Sequence, residues 1–159
     1  MDINAGGIPT LFDLIQATSD HLDTLVPLFD AYRQFYEQTS DVIGARTYLS
    51  ERLKNQEATV FLALDPGGVG LGFTLLYPSF SSVSMRRIWV LNDLFVTPDA
   101  RKQGVGEALL NRARQHAAET DARSLMLQTA IDNIPAQSLY EKLGWVRDED
   151  FYVYTLRVE

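Results

Sequence analysis

The chain contains no cysteine, which excludes a disulfide, a thiolate nucleophile and any cysteine-ligated metal centre. Histidine is nearly as scarce: His21 and His116 fit neither zinc-ligand nor triad spacing, and both are expected on helix surfaces, so no metal site is expected. No apolar run is long enough to cross a bilayer, and the first residues, Met1-Asp2-Ile3-Asn4, lack the basic and apolar regions of a signal peptide. These absences predict a soluble, cytoplasmic protein with no membrane partner. An excess of positive charge is missing as well. The net charge of −7 argues against a nucleic-acid partner, because phosphate backbones select basic surfaces.

What is present suits a single domain over 1–159, since 159 residues that are 46% apolar can bury a core of their own. The charge is unevenly distributed: segments 1–85, 86–123 and 124–159 carry −6, +2 and −3. An anionic ligand is favoured by the middle segment and a cationic one by the rest. Along the chain, 10–18 reads as a strand, and 19–36 as a helix capped by Ser19 or Asp20 and kinked at Pro27. Ala45, Tyr48, Leu49, Arg52 and Leu53 mark a second helical stripe. Strands follow at 58–65, 71–78 and 86–96, then a helix at 105–119, a strand at 123–129, a helix at 135–143 and a closing strand at 151–158. A short extra strand is expected around Trp145. The order β-α-α-β-β-β-α-β-α-β predicts a mixed α/β fold, a central sheet flanked by helices. "GGVGLG" at 67–72 joins two strands with no helix after it, so it is a hairpin turn and not a nucleotide fingerprint.

Two stretches break the pattern around them. Residues 88–96, IWVLNDLFV, read as a buried strand interrupted by Asn92 and Asp93 at its centre. Adjacent side chains point to opposite faces, so a polar group meets an apolar layer there. That is costly unless the group is hydrogen-bonded, lies at a bulge or faces a cleft. The second stretch is Arg101-Lys102-Gln103-Gly104-Val105-Gly106, at the mouth of a helix. Glycines there admit a close ligand, while free N–H groups and the helix dipole favour an anion such as pyrophosphate. It is not a Walker loop, because no Gly-Lys-Ser/Thr follows. From the residues alone, Arg101 is either a solvated helix-entry cation or a phosphate ligand. Leu139, Tyr140 and Leu143 are equally open, as a packing face or as part of a site.

Taken together, "LNDLFVTPDARKQGVGEALL" and "LQTAIDNIPAQSLYEKLGW" resemble the cofactor-binding core of the GNAT superfamily of N-acetyltransferases. The preceding "LYPSFSSVSMRRIWVLNDLFV" is similar to the one-domain branch that includes polyamine, histone and amino-acid acetyltransferases. The resemblance implies a GNAT-like, mostly antiparallel sheet and acetyl-CoA as the anion. It assigns the pyrophosphate to Arg101 and the loop Gln103, Gly104, Val105 and Gly106, with Lys102 as a flanking cation. Leu94, Phe95 and Val96 would pair with the pantetheine arm, Asn133 would contact that arm, and the Tyr140 hydroxyl would lie near the CoA sulfur.

The chemistry such an enzyme needs points to further residues. An amine of ordinary pKa about 10.4 must lose a proton before it attacks, and Asp93 is the candidate acceptor, with Glu37 and Asn92 secondary. Backbone N–H around Leu94 is the candidate oxyanion donor, and Tyr140 the candidate acid for the departing thiolate. Tyr32, Tyr36, Tyr77 and Phe80 are expected to line an acceptor pocket beside Asp93 and Glu37, unless their rings are core. The expected acceptor is a small primary amine: a polyamine, an amino acid or an amino-bearing antibiotic. The alternatives are a protein lysine or N-terminus, and acyl-CoA binding without catalysis. A homodimer is implied by resemblance alone.

Overall fold

The computed structural model describes residues 11–159. A sheet is built first from β1 (Asp13–Gln16), β2 (Thr59–Leu64) and β3 (Gly70–Ser81), antiparallel in that order. β4 (Arg86–Val96) continues it antiparallel to β3, and β5 (Leu125–Met126) lies parallel to β4. The strand order therefore equals the chain order, β1-β2-β3-β4-β5. The β2–β3 turn is the expected hairpin: Gly68 takes φ +82°, and Asp65 accepts the Val69 N–H through its side chain at 2.8 Å.

Two helices cover one face of the sheet. α1 (Leu22–Phe35) follows a short 3-10 turn and runs through Pro27. Thr18, not Ser19 or Asp20, caps that turn, accepting from Asp20 N while His21 Nδ1 accepts the Thr18 N–H at 2.9 Å. α2 (Val42–Lys54) is capped by Asp41, whose carboxylate accepts the Gly44 N–H at 2.9 Å. Leu25, Val26 and Phe29 of α1 and Ala45 and Leu49 of α2 close a core over Val60, Leu62, Phe73, Leu75 and Phe95 of the sheet. α3 (Val105–Glu119) packs on β2, β3 and β4. His116 of α3 is not the solvated residue expected, because its ring lies 4.7 Å from Trp89 and 5.4 Å from Phe61. No helix among the described residues is long and apolar enough to cross a membrane.

The chain divides into two compact units, one ending at Leu127 and the other running from Gln128 to Glu159. The second holds α4 (Ile134–Lys142). Asn133 caps it by accepting the Ala136 N–H at 3.3 Å, and Pro135 sits in its first turn, where no N–H is needed. At its end Gly144, at φ +90°, donates to Glu141 O, and Trp145 N donates to Tyr140 O at 3.0 Å. These two bonds make the helix stop of the Schellman type. The closing strand expected at 151–158 and the extra strand at Trp145 are not formed. A strand is defined by a ladder to a neighbour, and among the described residues none pairs with this segment, whose side chains are exposed. β5 is shorter than expected for the same reason, pairing only at Trp89↔Leu125 and Val90↔Met126.

β3 and β4 approach closely at one point that sequence accounts for. Gly72 pairs with Val96, and a Cβ on Gly72 would lie 2.5 Å from the Phe95 carbonyl oxygen and 3.2 Å from Val96 Cα. Backbone atoms cannot step aside as a flexible side chain can. Gly72→Ala is expected to lower stability by about 1–3 kcal/mol, read as a fall in the urea midpoint. An unchanged midpoint would show that the two strands separate at no cost.

Candidate active site

The Asn92-Asp93 interruption in β4 is a β-bulge. Leu75 pairs with Asp93 but Leu76 pairs with Leu91, leaving Asn92 as the extra residue. A bulge reverses the alternation of faces downstream of it. Trp89 shows the change, since it touches His116 of α3, whereas Phe95, an even number of residues later, lies with Tyr32 of α1. An unbroken strand would send both to one face. The extra residue turns Asp93 toward α1 and α2, and the Thr74 hydroxyl holds the turn by donating to Asp93 O at 2.9 Å.

Asp93 then forms the floor of a cavity of about 410 Å³. Its walls are Phe29 and Tyr32 from α1, Tyr48 from α2 and Tyr77 from β3. Arg33, Asp41, Gly44, Ala45 and Asn92 complete the lining. The Tyr48 and Tyr77 hydroxyls are hydrogen-bonded to each other, and the Tyr48 ring stacks on Phe29 at 5.8 Å. Asp93 is 2% exposed. Its Oδ1 accepts from Asn92 Nδ2 at 2.8 Å, while its Oδ2 has no hydrogen-bond partner among the described residues. Burial raises the Asp93 carboxyl to about 6, partly offset by the Asn92 hydrogen bond and the Tyr32 hydroxyl beside it. None of these perturbing groups is a cation. The same burial, with the Asp93 charge second, pushes the Tyr32 phenol well up; burial and the Tyr48 hydrogen bond do so for Tyr77. The Tyr32 hydroxyl donates to Asn92 O at 3.3 Å.

Of the predicted acceptor residues, Tyr32, Tyr77, Asn92 and Asp93 come together here, and Tyr36, Glu37 and Phe80 do not. α1 ends at Phe35, so Tyr36 is its C-cap and Glu37 follows in left-handed backbone at φ +63°. The Tyr36 ring supports Tyr32 from outside, at 5.0 Å. Phe80 is three residues past Tyr77 on β3, an odd spacing that puts it on the other face, where it pairs with Arg87 and lies under that guanidinium at 5.1 Å. Phe29, Tyr48, Arg33 and Asp41 were not predicted to line the pocket. Phe29 and Tyr48 sit at helical spacing among apolar residues, a pattern that suits core packing as well as a pocket wall, so the sequence alone does not single them out.

The anion-binding stretch is built at the other end of β4. Leu94, Phe95 and Val96 have β3 on one side, whereas the ladder to β5 stops at Val90, so one backbone edge is left without a strand neighbour among the described residues. Arg101 Nε donates to Val96 O at 3.0 Å, and its guanidinium lies 5.9 Å and 6.0 Å from the Phe35 and Phe95 ring centres. Lys102 and Gly104 adopt left-handed backbone at φ +61° and +84°. Gln103 Nε2 donates to Asp99 O at 2.9 Å. Gly104 is the N-cap of α3 and makes no side-chain cap, so the helix opens at Val105 and Gly106 with backbone N–H groups at the positive end of its dipole. A Cβ on Gly104 would meet nothing within 4 Å, so the approach is open. This donor set fits a pyrophosphate, and the free strand edge fits an amide-bearing arm. In the second unit, Asn133 caps α4, and Tyr140 lies 6.1 Å, ring to ring, from Trp145.

These features agree with what the chain resembles among known proteins. The Acetyltransferase (GNAT) family matches residues 25–145. The uncharacterized N-acetyltransferase YhfO of Bacillus subtilis is 47% identical over 143 residues, covering 90% of this chain and 95% of its own. A crystal structure of a probable acetyltransferase, 44% identical, superposes with a TM-score of 0.88 over 92% of this chain and 98% of its own. The aminoglycoside N-acetyltransferase AAC(6')-Iy, solved with CoA, shares the fold at 20% identity, with a TM-score of 0.78 over 94% and 97% of the two chains. The chain belongs to the GNAT family of acetyltransferases, and its acetyl donor is acetyl-CoA.

Proposed function

We propose that the protein transfers an acetyl group to a small primary amine bound in the tyrosine-walled cavity, with Asp93 as the proton acceptor. One observation carries this reading: a buried carboxylate, one oxygen of which has no hydrogen-bond partner among the described residues, forms the floor of a cavity one residue before Leu94–Val96. An ammonium group would be the first cation to meet Asp93, and the surrounding ring faces favour it further. At neutral pH the carboxylate is ionised and the amine protonated, so a proton must pass from nitrogen to Asp93, directly or through water. An ordinary carboxylate would face an uphill step of more than six pKa units; burial narrows the gap by about two. Raising the Asp93 pKa therefore serves the reaction.

When bound, acetyl-CoA supplies a thioester carbonyl and a thiol leaving group. In this reading Arg101, Lys102 and the Gln103–Gly106 loop hold its phosphates, Leu94–Val96 align its arm, and Asn133 contacts that arm. The Leu94 N–H is the candidate oxyanion donor, and the Tyr140 hydroxyl hydrogen-bonds or protonates the sulfur as the C–S bond breaks. Thiol release from acetyl-CoA across a panel of primary amines tests this function. Amine-dependent release well above hydrolysis is expected, and release independent of every amine would leave acyl-CoA binding without transfer as the better account.

A further inference from the structure

The rim of the acceptor cavity carries charges that the transfer reaction itself does not use. Arg33 and Asp41 both line it, Arg33 from the last turn of α1 and Asp41 as the N-cap of α2. Arg33 Nη1 donates to Thr39 O at 3.4 Å, a long bond that leaves most of the guanidinium's donors available. Asp41 gives one oxygen to the Gly44 N–H, and its other oxygen lies over the Gly44 Cα, where any side chain would collide with it. A buried carboxylate fixes this rim in place. Asp30, 5% exposed, accepts from Ser40 Oγ at 2.7 Å, from Asp41 N at 2.8 Å and from Gln34 Nε2 at 3.1 Å. The cavity thus presents one anion at its floor and a cation with an anion at its rim.

The geometry points to a free diamino acid as the acceptor, of the lysine and ornithine class, with its side-chain amine at Asp93, its α-carboxylate at Arg33 and its α-ammonium at Asp41. This rests on the acetyl-transfer reading above and names the substrate of that same site. Each charge of such a molecule meets an opposite one, and its aliphatic stem lies between the Tyr32, Tyr48 and Tyr77 side chains. A linear diamine would instead bring an ammonium beside Arg33. A lysine within a protein, whose α-groups are amides, would bring no charge to meet either rim group. The reaction balances: the side-chain nitrogen forms the new C–N bond, the thioester C–S bond breaks, CoA leaves as the thiol, and one proton is released through Asp93 to water.

Thiol release is to be compared for lysine, ornithine, cadaverine, 6-aminohexanoate, norleucine and an Nα-acetyl-lysine amide, with the position of the acetyl group read by fragment mass. The diamino acids are expected to exceed cadaverine and 6-aminohexanoate in kcat/KM by about tenfold or more, with acetylation on the side-chain nitrogen. Arg33→Gln should lower the lysine-to-cadaverine ratio by about tenfold, and Arg33→Lys should keep most of it. The proposal is overturned if cadaverine or the amide matches lysine, if the α-nitrogen is the one acetylated, or if the ratio survives Arg33→Gln. Release with none of the diamino acids but with other amines overturns this substrate alone. Release with no amine at all overturns the acetyl-transfer reading as well.

Discussion

Replacing Asp93 by Asn is expected to lower kcat by about a hundredfold or more while making the protein more stable at pH 7.5. Both effects come from one burial. Asn keeps the shape and the oxygen that accepts from Asn92 Nδ2, but it cannot take a proton from an ammonium. The stability effect follows from linkage. The folded-state carboxyl is raised from 3.8 to about 6, so its protonated form is the one that folding favours. Its contribution to stability is complete below pH 3.8 and is lost as pH rises to about 6; above that, ionised Asp93 costs on the order of 3 kcal/mol. Denaturant midpoints of the two proteins should converge toward pH 4 and separate above pH 6, with the Asn variant the more stable. In the wild type, activity should fall as pH drops through about 6, and that inflection should be missing from the residual activity of the variant. A variant that keeps its rate, or gains no stability at pH 7.5, would show that Asp93 is an ordinary satisfied core residue.

The residues that made Asp93 visible in the sequence are its neighbours. A polar pair inside IWVLNDLFV contradicts a buried strand, and the contradiction resolves as a bulge. β4 and α3 begin and end where the sequence predicts, because Pro98 stops the one and Gly104 opens the other, signals that act within a few residues. The closing strand fails for the opposite reason. Phe151–Val158 has strong strand preference, but a ladder is a property of two segments, and preference in one does not supply the other. The same distinction divides the site. Arg101 and Gly104 are legible because spacing along one turn places them, whereas Tyr48 and Asp41 enter the cavity only through the packing of α2 against α1 and the sheet. Phe80 and Tyr77 lie an odd number of residues apart on β3, so strand alternation puts them on opposite faces and only Tyr77 reaches the cavity.

Replacing Tyr140 by Phe is expected to lower kcat by about tenfold to a hundredfold and to leave acetyl-CoA affinity within about threefold of the wild type. The loss should be smaller than for Asp93, because a thiolate with an ordinary pKa of about 8.5 departs more readily than an ammonium yields its proton. Phe retains the ring that lies 6.1 Å from Trp145, and the Trp145 N–H bond to the residue 140 carbonyl belongs to the backbone, so the end of α4 should persist. The melting temperature of the variant is therefore expected to stay close to that of the wild type, which separates a chemical defect from an unfolded helix. A hydroxyl that acts only as the C–S bond breaks contributes nothing to the ground state, so the amine KM should also be unaffected. Steady-state kinetics with calorimetric titration of acetyl-CoA resolves the three quantities. Equal losses in affinity and rate would make Tyr140 a binding residue, and an unchanged kcat would mean that the thiolate departs without its help.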